Sequence, residues 1–127
     1  MDRRTLGLSL LLATSAASAE AIPSLIGPVS DIEVIEDGLG PRQENCADFK
    51  VSPQAVAEFL RHAILVTARQ EHDWYLHGPC RAHGTFSTRY GQWQWQILNM
   101  GTARIKAVTG EQFLLADPRE ESPPEDQ

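Results

Sequence analysis

The sequence predicts an α+β domain: one amphipathic helix packed on a curved antiparallel sheet of about four strands, tied by one disulfide. Three observations predict it. Residues 52–69 carry a single apolar stripe at helical spacing, residues 92–97 alternate strictly between large apolar residues and Gln, and the chain holds two cysteines, Cys46 and Cys80. A stripe of that kind must be pressed against something, and the strands that follow supply the surface.

The helix has a start signal as well as a period. Ser52 is a good N-cap, and Pro53 suits the first helical position, where a missing N–H costs nothing. Val56, Phe59, Leu60, Ala63, Ile64 and Thr67 then recur at i, i+3, i+4, i+7, i+8 and i+11. Glu58, Arg61, Arg69 and Gln70 fall largely off that stripe.

Residues 73–116 read as antiparallel strands. Trp93, Trp95 and Ile97 face one way, and Gln92, Gln94 and Gln96 the other. Arg89-Tyr90-Gly91-Gln92 turns the chain from residues 82–88 into this strand. Asn99-Met100-Gly101 marks the next turn or bulge, after which Ala103, Ile105 and Ala107 oppose Arg104 and Lys106. Thr109-Gly110-Glu111 leads to a short apolar strand at residues 113–116. Residues 73–76, cut off by Gly78-Pro79, read as a short edge strand.

The globular domain is thus expected over residues 46–116. Residues 20–45 form a lead-in broken by Ile22-Pro23, Gly27-Pro28 and Gly38-Leu39-Gly40-Pro41. Within it, residues 29–36 are either a strand or extended chain lying across the domain. Residues 117–127 are rich in Pro, Glu and Asp and read as a disordered acidic tail.

Residues 1–19 have the order of a secretory signal. Arg3 and Arg4 make a positive start, residues 6–13 an apolar run, and Ala17-Ser18-Ala19 an A-x-A cleavage site ahead of Glu20. The run is shorter than the ~20 apolar residues that span a bilayer. No Cys follows the small residues, so no lipid anchor is expected, and no membrane anchor after cleavage. Arg3-Arg4 partly resembles a twin-arginine signal, but Asp2 stands where Ser or Thr is usual, and general secretion is the favoured route. The expected location is therefore periplasmic or secreted.

Cleavage there would remove Arg3, Arg4 and Asp2 from totals of 11 basic and 17 acidic residues, leaving a net charge of −7. That sign argues against nucleic acid and anionic membrane surfaces, both of which need basic patches. It permits a cationic partner, such as an envelope or foreign protein, and it also keeps a protein soluble. In an oxidising compartment an isolated cysteine pair reads as one disulfide, here worth about 3.8 kcal/mol by loop-closure entropy. No C-x-x-C pattern points instead to a reactive or metal-binding thiol pair.

The layout is similar to small exported bacterial proteins that share a Cys-x-x-Phe, a helix, a Pro-Cys-x-x-x-Gly, a Trp-containing strand and a Gly-Thr turn. In this chain these are Cys46-Ala47-Asp48-Phe49, Pro79-Cys80-Arg81-Ala82-His83-Gly84, Trp95 and Gly101-Thr102. The resemblance covers about residues 46–116. It implies the same fold and no particular chemistry.

Two constellations are candidates for function. His62, His72, His77 and His83 fall within 22 positions, with Glu71 and Asp73 beside His72. A zinc or copper site would use His72, Asp73, His77 and His83, although H-E-x-x-H spacing is absent. The bland reading is a set of surface histidines. Trp93 and Trp95 would stack on sugar rings if exposed, but at strand period 2 beside Ile97 they suit a core better. No G-x-S-x-G and no Gly-rich phosphate loop is present. The expected function is a non-enzymatic binding protein of inhibitor or immunity type, without a cofactor. A His-based metal-binding protein and a glycan-binding module of the envelope are the alternatives.

Overall fold

The Trp/Gln alternation becomes an interior strand of a six-stranded sheet. In a computed structural model, which describes residues 26–120, β1 (Ser30–Leu39) is followed by helix α1 (Pro53–His62), β2 (Ile64–Val66) and helix α2 (Ala68–Trp74). The chain then runs up and down through β3 (Arg81–Thr88), β4 (Gly91–Leu98), β5 (Thr102–Lys106) and β6 (Gln112–Ala116). The sheet order is β1-β3-β4-β5-β6-β2, with every pairing antiparallel. The α+β class holds, but two helices and six strands replace one helix and about four strands. The expected signal segment, residues 1–19, lies outside the described residues, as does most of the acidic tail.

The three turns expected in residues 73–116 form where the breakers stand. Arg89-Tyr90 closes the β3–β4 hairpin, with Thr88 paired to Gly91. Met100 and Gly101 both take positive φ in the β4–β5 turn, a conformation that glycine adopts freely. Gly110, at φ 98°, closes the β5–β6 hairpin by donating its N–H to the Ala107 carbonyl at 2.8 Å.

The residue 52–69 helix is a correction. Ser52 caps α1 as expected, accepting from the Ala55 N–H at 3.0 Å. The helix then stops at His62. Residues 63–67 are Ala-Ile-Leu-Val-Thr, and Ile64, Val66 and Thr67 are β-branched, which disfavours helix and favours strand. Ile64, Leu65 and Val66 pair with β6, Leu65 opposite Leu115. Thr67 then opens α2 with a capping box, its hydroxyl accepting from the Gln70 N–H while the Gln70 side chain accepts from the Thr67 N–H. Residues 73–76, expected as an edge strand, are the end of α2 and the bend after it.

The lead-in also joins the fold. Residues 30–39 form the edge strand β1, hydrogen-bonded to β3 with three register irregularities. Short strand irregularities and carboxylates at an edge discourage pairing with another chain, and β1 carries both. Its close approach explains Gly84 in mid-β3. A Cβ there would collide with the Glu33 carbonyl and would stand 2.6 Å from Cζ2 of Trp95.

The core lies between α1 and one sheet face. Val56 of α1 meets Phe86, Trp93, Trp95, Ile97, Ile105 and Leu115, all buried, with Phe59 and Leu60 packed beside them. Cys46 and Cys80 form the expected disulfide, with Cα atoms 5.0 Å apart. The staple ties the chain entering α1 to the start of β3. Helix α2 lies on the other face: its buried Glu71 stands 3.7 Å from Arg104, which alternates with the core residues Ala103 and Ile105.

Residue 117 is not yet tail. Asp117 is buried, and its N–H donates to the Gly101 carbonyl at 2.8 Å. Its carboxylate accepts from Nη2 of Arg119 at 2.7 Å and from Nε at 2.9 Å, and Arg119 reaches Glu58 of α1 at 3.6 Å. These hydrogen bonds from Arg119 outweigh burial and hold the Asp117 carboxyl below its ordinary value. A carboxyl depressed in the folded state stabilises above its unfolded pKa of about 3.9, and that stability is lost as pH falls through the lower folded value. Urea denaturation should therefore show stability falling below about pH 4. Asp117→Asn should flatten this acid limb, and a limb unchanged in the variant would assign it to other carboxylates.

Candidate functional site

A ten-residue helix is about 15 Å long, whereas eight-residue strands such as β3 and β4 run about 27 Å. Because α1 ends at His62, it does not cover the whole apolar face. The uncovered end is a groove of about 610 Å³. Its floor is the buried Trp93, Ile105 and Leu115, with the half-buried Phe113 beside them. Ile26, Leu60, Ala63 and Ala107 line its sides.

The rim is apolar too. Ile64 and Leu65 of β2, Val108 of the β5–β6 hairpin and Tyr90 of the β3–β4 hairpin line the groove while remaining exposed, Val108 at 72% and Tyr90 at 55%. Such side chains have nothing to gain from water, and a contiguous set of them marks a binding surface more often than a lone exposed Leu does. The polar lining is sparse: Arg61, Thr109 and Glu111, besides the Tyr90 hydroxyl. Arg61 bonds to Glu58 within α1, and the Thr109 hydroxyl donates to Glu111 Oε1 at 3.0 Å. Chemically the arrangement offers broad apolar contact with charge at the edges.

Trp93 is held rigidly in this floor. Its ring packs between Phe86, at 6.0 Å and nearly parallel, and Phe113, at 6.1 Å. Its indole N–H donates to the Thr88 hydroxyl at 3.0 Å. Trp95 is buried deeper, with its N–H donating to the Thr85 carbonyl at 3.1 Å. The pair therefore faces the core and presents no exposed aromatic platform. Only Trp93 reaches the groove.

The opposite sheet face carries a second hollow of about 550 Å³, less apolar than the groove. Thr85, Gln94, Gln96, Arg104 and Lys106 line it, along with His83. Gln94 and Gln96 lie on this face as the alternation predicts.

The histidines are not brought together as one site. The rings of His72 and His77 stand 6.0 Å apart, and Nδ1 of His72 lies 3.0 Å from Asp73. His83 is on β3, with Nε2 3.1 Å from Glu36 of the neighbouring strand. His62 pairs with Glu58 at 2.9 Å. Among the described residues no three His, Cys, Asp or Glu side chains form a group able to hold a metal ion. His72, Asp73, His77 and His83 are thus split between α2 with the loop after it and the β1–β3 edge.

Of the groove residues the sequence singles out Trp93, but not the exposed rim of Ile64, Leu65, Tyr90 and Val108. Val108 reads as the end of the strand before Thr109-Gly110-Glu111, Ile64 fits the helical stripe, and Leu65 lies within the same expected helix. Two signals point to them: a bulky apolar residue beside a turn, and the Thr67-x-x-Gln70 capping pattern, which places a new helix start directly after Ile64-Leu65-Val66.

These features define a disulfide-tied α+β domain whose single long-strand sheet carries an apolar groove on one face and a less apolar hollow on the other. No family model matches the chain, and neither a curated protein nor a solved structure does.

Proposed function

We propose that this chain is a non-enzymatic binding protein of the periplasm or the cell exterior, and that the apolar groove is its binding site. The observation that supports it most is the exposed rim of Ile64, Leu65, Tyr90 and Val108 around a buried apolar floor. The volume falls in the ordinary range for ligand pockets, about 300–1,000 Å³. The order of residues 1–19 supports export, and a disulfide is compatible with it. No helix among the described residues is long and apolar enough to cross a membrane.

The test uses oxidised protein spanning residues 20–127 and the neutral dye N-phenyl-1-naphthylamine. Saturable emission at one equivalent, with energy transfer from tryptophan that drops in Trp93→Phe, is the expected result. Leu65→Asp and Val108→Asp should each weaken uptake at least tenfold while circular dichroism stays unchanged. A dye response that never saturates, or that both charged variants retain, rules the groove out.

A second reading rests on β1, which exposes Asp31, Glu33, Ile35 and Glu36 at the sheet edge. An acidic edge of this kind would steer a cationic protein partner, as an inhibitor or immunity protein does. Capture of a basic envelope protein at equal stoichiometry, lost with Asp31→Lys/Glu33→Lys and weakened by salt, would support it. Capture that ignores both changes would end it.

A further inference from the structure

We infer that the groove takes a single-chain anionic amphiphile, with the chain along the Trp93 floor and the head group at Arg61. This rests on the groove being the binding site. The chain portion follows from the lining, which is apolar from Leu65 across Trp93 to Val108. The head group follows from the charge arrangement at the end of α1.

Among the described residues, Arg61 is the one basic side chain that lines the groove. Its Nη2 donates to Glu58, but Glu58 is shared: His62 approaches it at 2.9 Å and Arg119 at 3.6 Å. Arg119 spends its shortest bonds on Asp117. Two guanidiniums, Arg61 and Arg119, thus share Glu58, Asp117 and Glu120, and Glu58 is held below its ordinary value because the desolvation that raises it is outweighed by Arg61 and His62. Arg61 also stands in the last turn of α1, where its charge offsets the partial negative charge of the helix end. A guanidinium has about five N–H donors in a planar fork that suits a carboxylate or phosphate, and Glu58 takes only part of it. The carboxylate in the lining, Glu111, is on the far hairpin and already accepts from Thr109. An anionic head is therefore favoured at the α1 end of the groove and disfavoured at the hairpin end, which gives the ligand a direction.

The experiment displaces N-phenyl-1-naphthylamine from oxidised protein spanning residues 20–127, using dodecanoate, dodecyltrimethylammonium and dodecyl maltoside below their aggregation concentrations. Dodecanoate should bind about fivefold more tightly than the cationic amphiphile, the upper range for an exposed ion pair. Arg61→Gln, an exposed substitution, should erase that preference, each displacement being referred to the dye affinity of the same variant. Shortening the chain from twelve to eight carbons should weaken binding by up to about fourfold per CH₂, which adsorption by charge alone would not do. Equal displacement by all three heads, or a preference that survives Arg61→Gln, overturns the head-group assignment while the groove reading stands. Dye that binds but is displaced by none of the chains overturns the amphiphile. Failure of the dye itself to bind overturns both.

Discussion

Replacing Cys46 and Cys80 together by Ala lowers the unfolding free energy by about 3.8 kcal/mol, the loop-closure value for a separation of 34 residues. The bond's surroundings make that figure a reasonable expectation for this site. Cys46 is fully buried and Cys80 nearly so, which means that Ala leaves no stranded polar group. Cys80 is fixed on its other side by the backbone: its N–H donates to Asn99 Oδ1 at 2.9 Å, and its carbonyl accepts from the Asn99 N–H at 3.0 Å. Those bonds survive the substitution, so the loss is mainly the freedom returned to residues 46–80 in the unfolded chain. Gly40 belongs to the same seat, since a Cβ there would stand 2.6 Å from Sγ of Cys46. Urea denaturation of the double variant beside the reduced native chain is the measurement. Agreement of the two near 3.8 kcal/mol supports the entropic account, and a loss under about 1 kcal/mol would show that the unfolded ensemble keeps these segments close without the bond.

That loop encloses α1, β2 and α2, the stretch in which the sequence is hardest to read. The hydrophobic period is legible in residues 52–62 and again in residues 92–97, because each stretch answers to one packing partner. Trp93, Trp95 and Ile97 meet one helix face, and Val56, Phe59 and Leu60 meet one sheet face. Residues 63–67 answer to two demands. Ala63 and Ile64 continue the helical stripe, whereas Ile64, Val66 and Thr67 prefer extended chain, and the partner that decides is β6, some fifty residues later. A local period cannot register such a distant partner. The same break creates the candidate site. A helix running to residue 69 would be about 27 Å long and would cover the end of the sheet where Trp93, Ile105 and Leu115 form the groove floor. The groove is thus hidden from the sequence for the same reason that β2 is. The histidines show the opposite relation: nearness in sequence does not make one group, since His83 pairs with Glu36 of β1 while the His72 and His77 rings lie near each other in α2 and the loop after it.

The second large effect falls on Trp95. Trp95→Ala should cost about 3–5 kcal/mol, since the side chain is 2% exposed and its removal empties a large buried volume. The ring has a particular seat. It lies over Gly84, its direct partner across the β3–β4 ladder, where an aromatic shields backbone that glycine leaves bare. Gly84→Ala in the native chain should itself cost about 1–3 kcal/mol by overpacking. If the two positions share one space, the losses are not additive, and the double variant should be more stable than the sum predicts. The coupling cannot be complete, because the added methyl also meets the Glu33 carbonyl of β1, which Trp95→Ala does not move. A double-mutant cycle in urea therefore separates the two contacts. A coupling near zero would assign the whole Gly84 constraint to the β1 backbone. A coupling equal to the full Gly84→Ala cost would assign it to the indole alone. An intermediate value is expected, with β1 and Trp95 both fixing glycine in the middle of a strand that otherwise favours side chains. Trp93→Ala offers the contrast within the same strand. It opens the groove floor to solvent instead of leaving a sealed void, so its loss should be smaller than that of Trp95→Ala, although the two indoles are almost equally buried.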